Sequence, residues 1–291
     1  MTFMIAHITD THLSGEKPFF NRNFELVAAH LRAAAPDLVI NTGDVALNGA
    51  DLIEDLRVAR SMHDGLGLAW RAIPGNHDVG DNQEIAKKQP ANAERRARWL
   101  ETFGPDFWTQ EAPGWRLLGI NSLLLGSDIP QAIEQEAFIA ETARNLGASK
   151  LALFLHKPLF LNTLDDSDFG SHAVNPAPRA RLLAALGDVR PALICCGHLH
   201  EYREETHEGM HQIWAPAISF TLSDWFLPPH GGVHMVGYVK LELNEDGTFT
   251  SMLVQPEGLV AHDLVDFPEA YGDLRAIKAQ ADAKKNAAAA Q

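Results

Sequence analysis

The sequence predicts an α/β protein, because short apolar runs alternate with amphipathic stretches over most of the chain. Six apolar runs have the length and composition of buried strands, at 3–8, 38–40, 68–73, 115–120, 151–155 and 191–196. Three stretches place apolar residues at helical spacing, at 24–35, 52–62 and 131–146. Strands joined by helices form layered domains, so we expect a sheet covered by helices.

The last third of the chain has a different texture. Two runs, 236–243 and 248–254, flank the Asn-Glu-Asp-Gly turn at 244–247, which predicts an antiparallel hairpin. The Arg-rich stretch 81–109 interrupts the alternation, either as a cap or dimerisation insertion or as a surface helix. We therefore predict one domain over 1–270 and an Ala- and Lys-rich tail over 271–291, as a loosely held helix or a disordered segment.

Composition excludes several classes of partner. The formal charge is -14, with 38 acidic against 24 basic residues, which would repel a nucleic acid polymer. No apolar run approaches the roughly 20 residues of a membrane-spanning helix, so we expect no integral membrane association. The two cysteines, Cys195 and Cys196, are adjacent and give no disulfide framework. With no signal-peptide pattern at the start, a cytoplasmic location is expected.

Five short polar motifs directly follow predicted strands, where α/β proteins place ligand sites. They are Asp10-Thr11-His12, Gly43-Asp44, Gly75-Asn76-His77-Asp78, His156 and Gly197-His198-Leu199-His200. A single His or Asp at a strand end is usually a structural hydrogen-bonding group or a helix cap. Together, however, these groups would converge at one edge, where unpaired charge is costly without a cation. The set therefore predicts a metal site.

Local spacing adds detail to this prediction. Asp10 and His12 are two residues apart, as are His198 and His200. In an extended segment both members of such a pair point the same way, so each pair can act as a two-pronged ligand. The glycines that precede the ligands allow tight turns or a close backbone approach that a side chain would obstruct.

The order of the five motifs resembles that of the calcineurin-like metallophosphoesterase superfamily over about residues 3–220. The resemblance implies a four-layer αββα sandwich of two mixed β-sheets flanked by helices. It also implies two metal ions, with Asp44 bridging them. The remaining ligands divide into Asp10, His12 and His200 on one metal and Asn76, His156 and His198 on the other.

Two branches of the superfamily fit less well than a third. Purple acid phosphatases carry a Tyr ligand where this chain has Leu47, and protein serine/threonine phosphatases continue from Gly-Asp into Asp-Arg-Gly, which is absent here. The chain resembles the bacterial class III cyclic nucleotide phosphodiesterases and glycerophosphodiesterases in its Gly-Asn-His-Asp motif, its run 156–159 and its modest length. The expected reaction is therefore hydrolysis of a small phosphodiester by attack of a metal-bound hydroxide.

The resemblance assigns catalytic roles to His77 and Asn76. His77 would face the leaving oxygen, with Asp78 orienting its ring, although a His-Asp loop clamp is the alternative. The thiolate-free ligand set suits manganese or iron, with zinc as a further choice. A phosphomonoesterase, a nuclease and a metal-free scaffold remain alternatives. A homodimer is a further possibility. The loop 165–178, which contains His172, either shapes the substrate pocket or is a plain surface loop.

Overall fold

Two large mixed β-sheets pack face to face, and helices cover their outer sides. This is the architecture of a computed structural model that describes residues 1–167 and 170–289. The predicted four-layer αββα arrangement is confirmed. The strands are β1 Thr2–Ile8, β2 Leu38–Asn41, β3 Trp70–Ala72, β4 Trp108–Ala112, β5 Trp115–Gly119, β6 Lys150–Phe154, β7 Leu193–Cys196, β8 Glu201–His207, β9 Met210–Trp214, β10 Phe220–Thr221, β11 Val233–His234, β12 Tyr238–Asn244, β13 Phe249–Val254 and β14 His262–Asp263.

The first sheet has the order β13-β12-β1-β2-β3, and the second has the order β11-β8-β9-β7-β6-β5-β4. Strands β1, β2 and β3 are parallel, as are β5, β6, β7 and β9, while β4, β8, β11, β12 and β13 pair antiparallel with their neighbours. Strands β10 and β14 form a separate parallel pair. Because parallel strands end at the same edge, this topology brings the ends of both sheets' central strands together.

The helices are α1 Asn21–Ala34, α2 Ile53–Asp64, α3 Asn76–Val79, α4 Ala93–Phe103, α5 Gln131–Arg144, α6 Pro176–Leu186, α7 Pro268–Tyr271 and α8 Leu274–Ala289, with a 3-10 turn at Leu264–Asp266. Alternation along β1 shows how the layers form. Ile5 belongs to the core between the two sheets, whereas Ala6 and Ile8 pack with Phe24 of α1. Successive side chains of a strand point to opposite faces, so one strand serves two core layers.

Most predicted elements lie where the sequence placed them. The hairpin forms as β12 and β13, and β12 extends the first sheet beside β1. The sequence missed β4, β8 and α6, whose hydrophobic patterns are short or irregular. The predicted strand 68–73 is reduced to Trp70–Ala72.

The stretch 81–109 contains α4 and the start of β4. Helix α4 lies against the body of the chain, since Trp99 is fully buried and Arg96 forms two 2.8 Å hydrogen bonds with the buried carboxylate of Asp106. A role as a cap or dimer contact stays a prediction. In the tail 271–291, residues 274–289 form α8, and 290–291 lie outside the described residues. No helix within 1–167 and 170–289 is both long and apolar enough to cross a bilayer.

Candidate metal centre

The predicted ligands stand at the carboxyl ends of five parallel strands. Asp10 follows β1, Asp44 follows β2 and Asn76 follows β3 in the first sheet. His156 follows β6, and His198 follows β7 in the second sheet. The structure thus brings all the predicted ligands to one rim, where the two sheets meet, and arranges their donor atoms in compact groups. Within each group these atoms lie within 4.8 Å of one another.

The backbone at five of the seven predicted ligands is left-handed rather than extended. The φ angles are 50° at Asp10, 43° at His12, 50° at Asp44, 74° at His198 and 56° at His200. This conformation is sterically disfavoured for residues with a Cβ and concentrates at functional sites. The predicted extended conformation of the two ligand pairs is therefore wrong.

The two pairs of ligands differ in how they join the donor groups. Asp10 and His12 do belong to one donor group, which His200 completes. His198 instead joins Asp44 and His156, so it does not form a two-pronged ligand with its neighbour. The two histidines of the second pair therefore belong to different groups, although both have left-handed backbone.

The first donor group contains two atoms that lack partners. Oδ1 of Asp10 and Nε2 of His12 are buried and form no hydrogen bond within the described part of the chain. Oδ1 of Asp10 lies 3.4 Å from Nε2 of His200. The other oxygen of Asp10, Oδ2, accepts hydrogen bonds from the Thr9 hydroxyl at 2.7 Å and the His198 N–H at 2.9 Å. One carboxylate oxygen is therefore fixed by the protein, and the other is left for a ligand.

The second donor group is centred on Nε2 of His156. This atom lies 3.2 Å from Oδ1 of Asn76, 3.2 Å from Nδ1 of His198 and 3.4 Å from Oδ2 of Asp44. Oδ2 of Asp44 is also 3.8 Å from Nε2 of His12, which belongs to the other group. A single carboxylate oxygen thus faces both groups.

Each histidine has its other ring nitrogen beside an oxygen. Nδ1 of His156 is 2.9 Å from the Thr42 carbonyl, and Nε2 of His198 is 2.7 Å from the Ser171 carbonyl. Nδ1 of His200 is 2.8 Å from the Phe220 carbonyl. A carbonyl can only accept, so these nitrogens carry a proton, and in the neutral rings the nitrogens that face the centre present lone pairs.

This arrangement fits cations. Nε2 of His156 and Nδ1 of His198 face each other at 3.2 Å as two lone pairs, which repel unless a positive charge lies between them. Burial disfavours a proton on His156, but the carboxylates of Asp44 and Asp10 outweigh burial and raise its pKa to about 9. A site that attracts positive charge so strongly also suits a metal ion.

The carboxylates respond in the opposite direction. Burial favours the neutral form of Asp10, yet the charge of His200 beside it lowers the net pKa. Burial also opposes ionisation of Asp44, and the charges of His156 and His77 lower its pKa well below the usual value. Both carboxylates are therefore anionic and available as metal ligands. The donor groups contain carboxylate and imidazole but no thiolate, and such a set suits manganese, iron or zinc.

The expected role of Asp78 is wrong. Its carboxylate accepts the backbone N–H groups of Val45 at 3.1 Å, Ala46 at 3.0 Å and Gly75 at 2.8 Å. It forms no hydrogen bond with the ring of His77 among the described contacts. Asp78 is therefore a clamp that joins the loop after β2 to the loop after β3, and the loop-clamp alternative applies to it.

His77 itself lies at the centre. Its ring is 5.0 Å from the ring of His12, and its donor atom groups with those of His12 and Asp44. It is half-buried, whereas His12 is almost completely buried. Its position next to the donors and at the surface agrees with contact to a substrate.

The glycines at 75 and 197 are needed for close approach. A Cβ at Gly75 would collide with the carboxylate and amide of Asp44, and one at Gly197 would collide with Thr9 and Oδ2 of Asp10. Any larger residue there would push a predicted ligand out of place.

Sequence reasoning missed several neighbours of the ligands. The ring of Phe220 lies 4.3 Å from that of His200, and the hydroxyl of Tyr271 lies 2.6 Å from Nδ1 of His12. No local pattern marks either residue. His172 lies 4.4 Å, ring to ring, from His230, and both line a cavity of about 390 Å³. For the loop 165–178, a role in shaping the substrate pocket was one alternative and a plain surface loop the other, and its residues 168–169 lie outside the described residues.

Fold and site define a phosphoesterase of the metal-dependent type. A sequence profile of the calcineurin-like phosphoesterase family matches residues 3–202, so the chain belongs to that family. The predicted superfamily is thereby confirmed. Members of this family use divalent metals, in agreement with the donor groups described above.

Two curated relatives indicate where the chain lies within the family. It is 25% identical over 207 residues to a probable glycerophosphodiester phosphodiesterase, GpdQ, of Arcobacter nitrofigilis, over 68% of this chain and 71% of that protein. It is also 25% identical over 187 residues to the serine/threonine-protein phosphatase CPPED1 of Homo sapiens, over 61% of this chain. The chain spans 55% of the length of CPPED1.

Solved structures support the fold. The purple acid phosphatase PPD1 of Lupinus luteus superposes with a TM-score of 0.65 at 13% identity, over 90% of this chain and 53% of that one. GAP50, the anchor in the inner membrane complex of Plasmodium, gives 0.60 at 12% identity, over 89% and 86%. A dimetal phosphatase of Danio rerio gives 0.53 at 12% identity, over 88% and 99%.

Proposed function

We propose that this chain is a dinuclear metal-dependent phosphodiesterase that hydrolyses small phosphodiesters, such as cyclic nucleotides or glycerophosphodiesters. The observation that carries the proposal is Oδ2 of Asp44, which lies 3.8 Å from Nε2 of His12 and 3.4 Å from Nε2 of His156. An anionic oxygen shared by two separate donor groups suits a pair of cations better than one.

The proposed ligands divide as the donor groups do. One metal would be held by Asp10, His12 and His200, the other by Asn76, His156 and His198, and Asp44 would be shared between them. A metal pair supplies Lewis acidity, which lowers the pKa of water and offsets the charge of the phosphoryl oxygens. Manganese or iron is proposed first, with zinc next.

Two side chains of the protein would orient the substrate and supply a proton to the leaving group. His77 lies beside His12 and Asp44, at the half-exposed edge of the centre, so its ring can hold a proton at the leaving oxygen. Asn76 offers Oδ1 to the metal side, 3.2 Å from Nε2 of His156, and its amide N–H is the group left to orient a phosphoryl oxygen.

Two reactions compete for this site. The GpdQ relative supports a phosphodiester substrate, and it shares more of its length with this chain than CPPED1 does. A phosphomonoester is the second candidate, because CPPED1 is named a serine/threonine-protein phosphatase, a class that the Gly-Asp motif of this chain argued against. The shared metal centre does not choose between the two reactions.

A pair of chromogenic substrates separates them. Protein loaded with Mn²⁺ should cleave bis(p-nitrophenyl) phosphate with a larger kcat/KM than p-nitrophenyl phosphate. A clear preference for the monoester would replace the proposal with the second candidate. Cyclic AMP, 2′,3′-cyclic AMP and glycerophosphocholine, tested next under the same conditions, identify the class of diester. Inactivity on all five substrates, with two metals bound, would contradict both.

Location and assembly are part of the proposal. The buried thiols of Cys195 and Cys196 are free, which supports a reducing compartment such as the cytoplasm. A homodimer is proposed as the assembly, and sedimentation equilibrium of the metal-loaded protein measures it.

A further inference from the structure

The C-terminal segment returns to the metal centre after the last sheet strand. The chain passes through the turn Leu264–Asp266 into α7, which ends at Tyr271. The Tyr271 hydroxyl lies 2.6 Å from Nδ1 of His12 and 2.9 Å from the carbonyl oxygen of Leu47. This segment lies outside residues 3–202, which match the family profile, and Tyr271 is the first residue of the predicted tail.

The direction of these hydrogen bonds follows from the groups involved. The Leu47 carbonyl can only accept, so the single hydroxyl proton of Tyr271 is donated to it. The phenolic oxygen then accepts the Nδ1–H of His12. With its proton on Nδ1, the ring presents the lone pair of Nε2, the buried atom that lacks a partner within the described residues.

We propose that Tyr271 is a positioning residue of the metal centre, which fixes the tautomer and the ring orientation of His12. This inference rests on the proposed function, because it assigns His12 as a ligand through Nε2. Tyr271 is not itself a ligand in this arrangement, since its oxygen lies on the Nδ1 side of the ring.

Tyr271 differs in kind from the partners of the other three histidines. His156, His198 and His200 each rely on a backbone carbonyl, which no substitution removes. His12 relies on a side chain 259 positions away. The first metal site therefore depends on correct docking of the C-terminal segment, whereas the second does not.

Separate contacts hold this segment in place. The ring of Phe267 lies 5.3 Å from that of Phe20, and Nζ of Lys17 donates a 2.7 Å hydrogen bond to the carbonyl of Glu269. The ring of Tyr271 lies 4.6 Å from that of His77, the proposed acid. Removal of the hydroxyl alone therefore leaves the ring and its docking intact.

Tyr271→Phe is the test, with Tyr202→Phe as the matched control. Tyr271→Phe removes two hydrogen bonds of one hydroxyl, and Tyr202→Phe removes a hydroxyl with one, to Glu204 at 2.7 Å, on strand β8. The first measurement uses metal-free protein: long-range ¹H–¹⁵N spectra of the imidazoles, with the His12 signal assigned by its absence in His12→Gln. We expect the Nδ1–H form of His12 in the wild type and in the control, and a mixture of tautomers in Tyr271→Phe.

The second measurement is a titration with Mn²⁺ that is monitored by calorimetry. We expect one of two sites to weaken by about 10- to 100-fold in Tyr271→Phe, the usual effect of losing a group that orients a ligand. An unchanged tautomer together with unchanged Mn²⁺ affinity would overturn the positioning role. Failure of the wild type to bind two Mn²⁺ ions would instead overturn the proposed function, so the two failures are distinct.

Discussion

His77 donates its backbone N–H to Oδ1 of Asp44 at 2.8 Å, which leaves Oδ2 as the oxygen facing both donor groups. The amide thereby selects which carboxylate oxygen is free to bridge. The loop after β3 and the loop after β2 are linked through this bond, so the two ligand loops cannot move independently.

Asp44→Asn should reduce binding of both metals, because it removes the shared negative charge. We expect the metal content after reconstitution with Mn²⁺, measured by mass spectrometry, to fall at both sites and activity to fall by at least about 10²-fold. Asp64→Asn, which alters an exposed carboxylate paired with Arg60, is the control and should keep full loading. Two metals per chain in Asp44→Asn would contradict the bridge.

His77→Ala should leave both metals bound and lower kcat by roughly 10² to 10⁴, the usual contribution of an acid or base. Metal analysis and a pH–rate profile check the two parts separately. His30→Ala, at an exposed histidine of α1, serves as control. If His77→Ala loses a metal, His77 is a ligand, as its grouping with His12 and Asp44 allows.

Asp78→Ala should destabilise the fold, because it leaves three backbone N–H groups without the carboxylate that accepts their hydrogen bonds. At about 1 to 3 kcal/mol for each unsatisfied group, the free energy of unfolding should drop by about 3 kcal/mol or more. Urea unfolding of metal-free protein measures it. Asp78→Asn keeps one acceptor oxygen and should lose less. A stable Asp78→Ala protein with reduced kcat would restore the original idea that Asp78 acts through His77.

Acid should weaken the fold through His63, a fully buried residue of α2. Burial lowers its pKa from 6.5 to about 4. Between those values the unfolded chain binds a proton that the folded protein excludes, so stability falls as the pH drops from about 6.5 to about 4. One such group contributes about 1.4 kcal/mol per pH unit. Urea unfolding across this pH range should show that the free energy of unfolding depends less steeply on pH in His63→Gln than in the wild type. An equal pH dependence in both proteins would contradict the assignment.

Removal of metal should lower the melting temperature as well as abolish activity. Ligands that bind the folded state alone stabilise it, by about 2.7 kcal/mol when their free concentration is 100 times Kd. Dialysis against a chelator followed by calorimetry tests this, and added Mn²⁺ should restore the transition. Equal melting temperatures with and without Mn²⁺ would mean that no site is filled.

The ligands could be predicted from the sequence because each follows a strand whose hydrophobic pattern is clear. Asp10 and His156, for example, come two residues after the strands that position them. What could not be predicted depends on contacts between distant segments. Nothing near Tyr271 indicates that it meets His12, and nothing in the Asn-His-Asp order shows that Asp78 turns toward the loop after β2.

Backbone conformation was the other missing component. Spacing alone suggested extended ligand pairs, but backbone hydrogen bonds from Asp10 to Gly43 and from His12 to Asp44 hold the turns in a different geometry. Those bonds join two loops, so no local rule could supply them.

The left-handed turns also restrict how an inactive reference protein can be engineered. Asparagine and glycine tolerate that conformation, whereas branched side chains clash with the neighbouring carbonyl. A valine at position 10 or 200 would thus distort the main chain in addition to deleting a donor, and its phenotype would mix two causes. Glycine replacements remove the donor atom and tolerate the backbone conformation, which makes them the better starting point for a substrate-trapping variant.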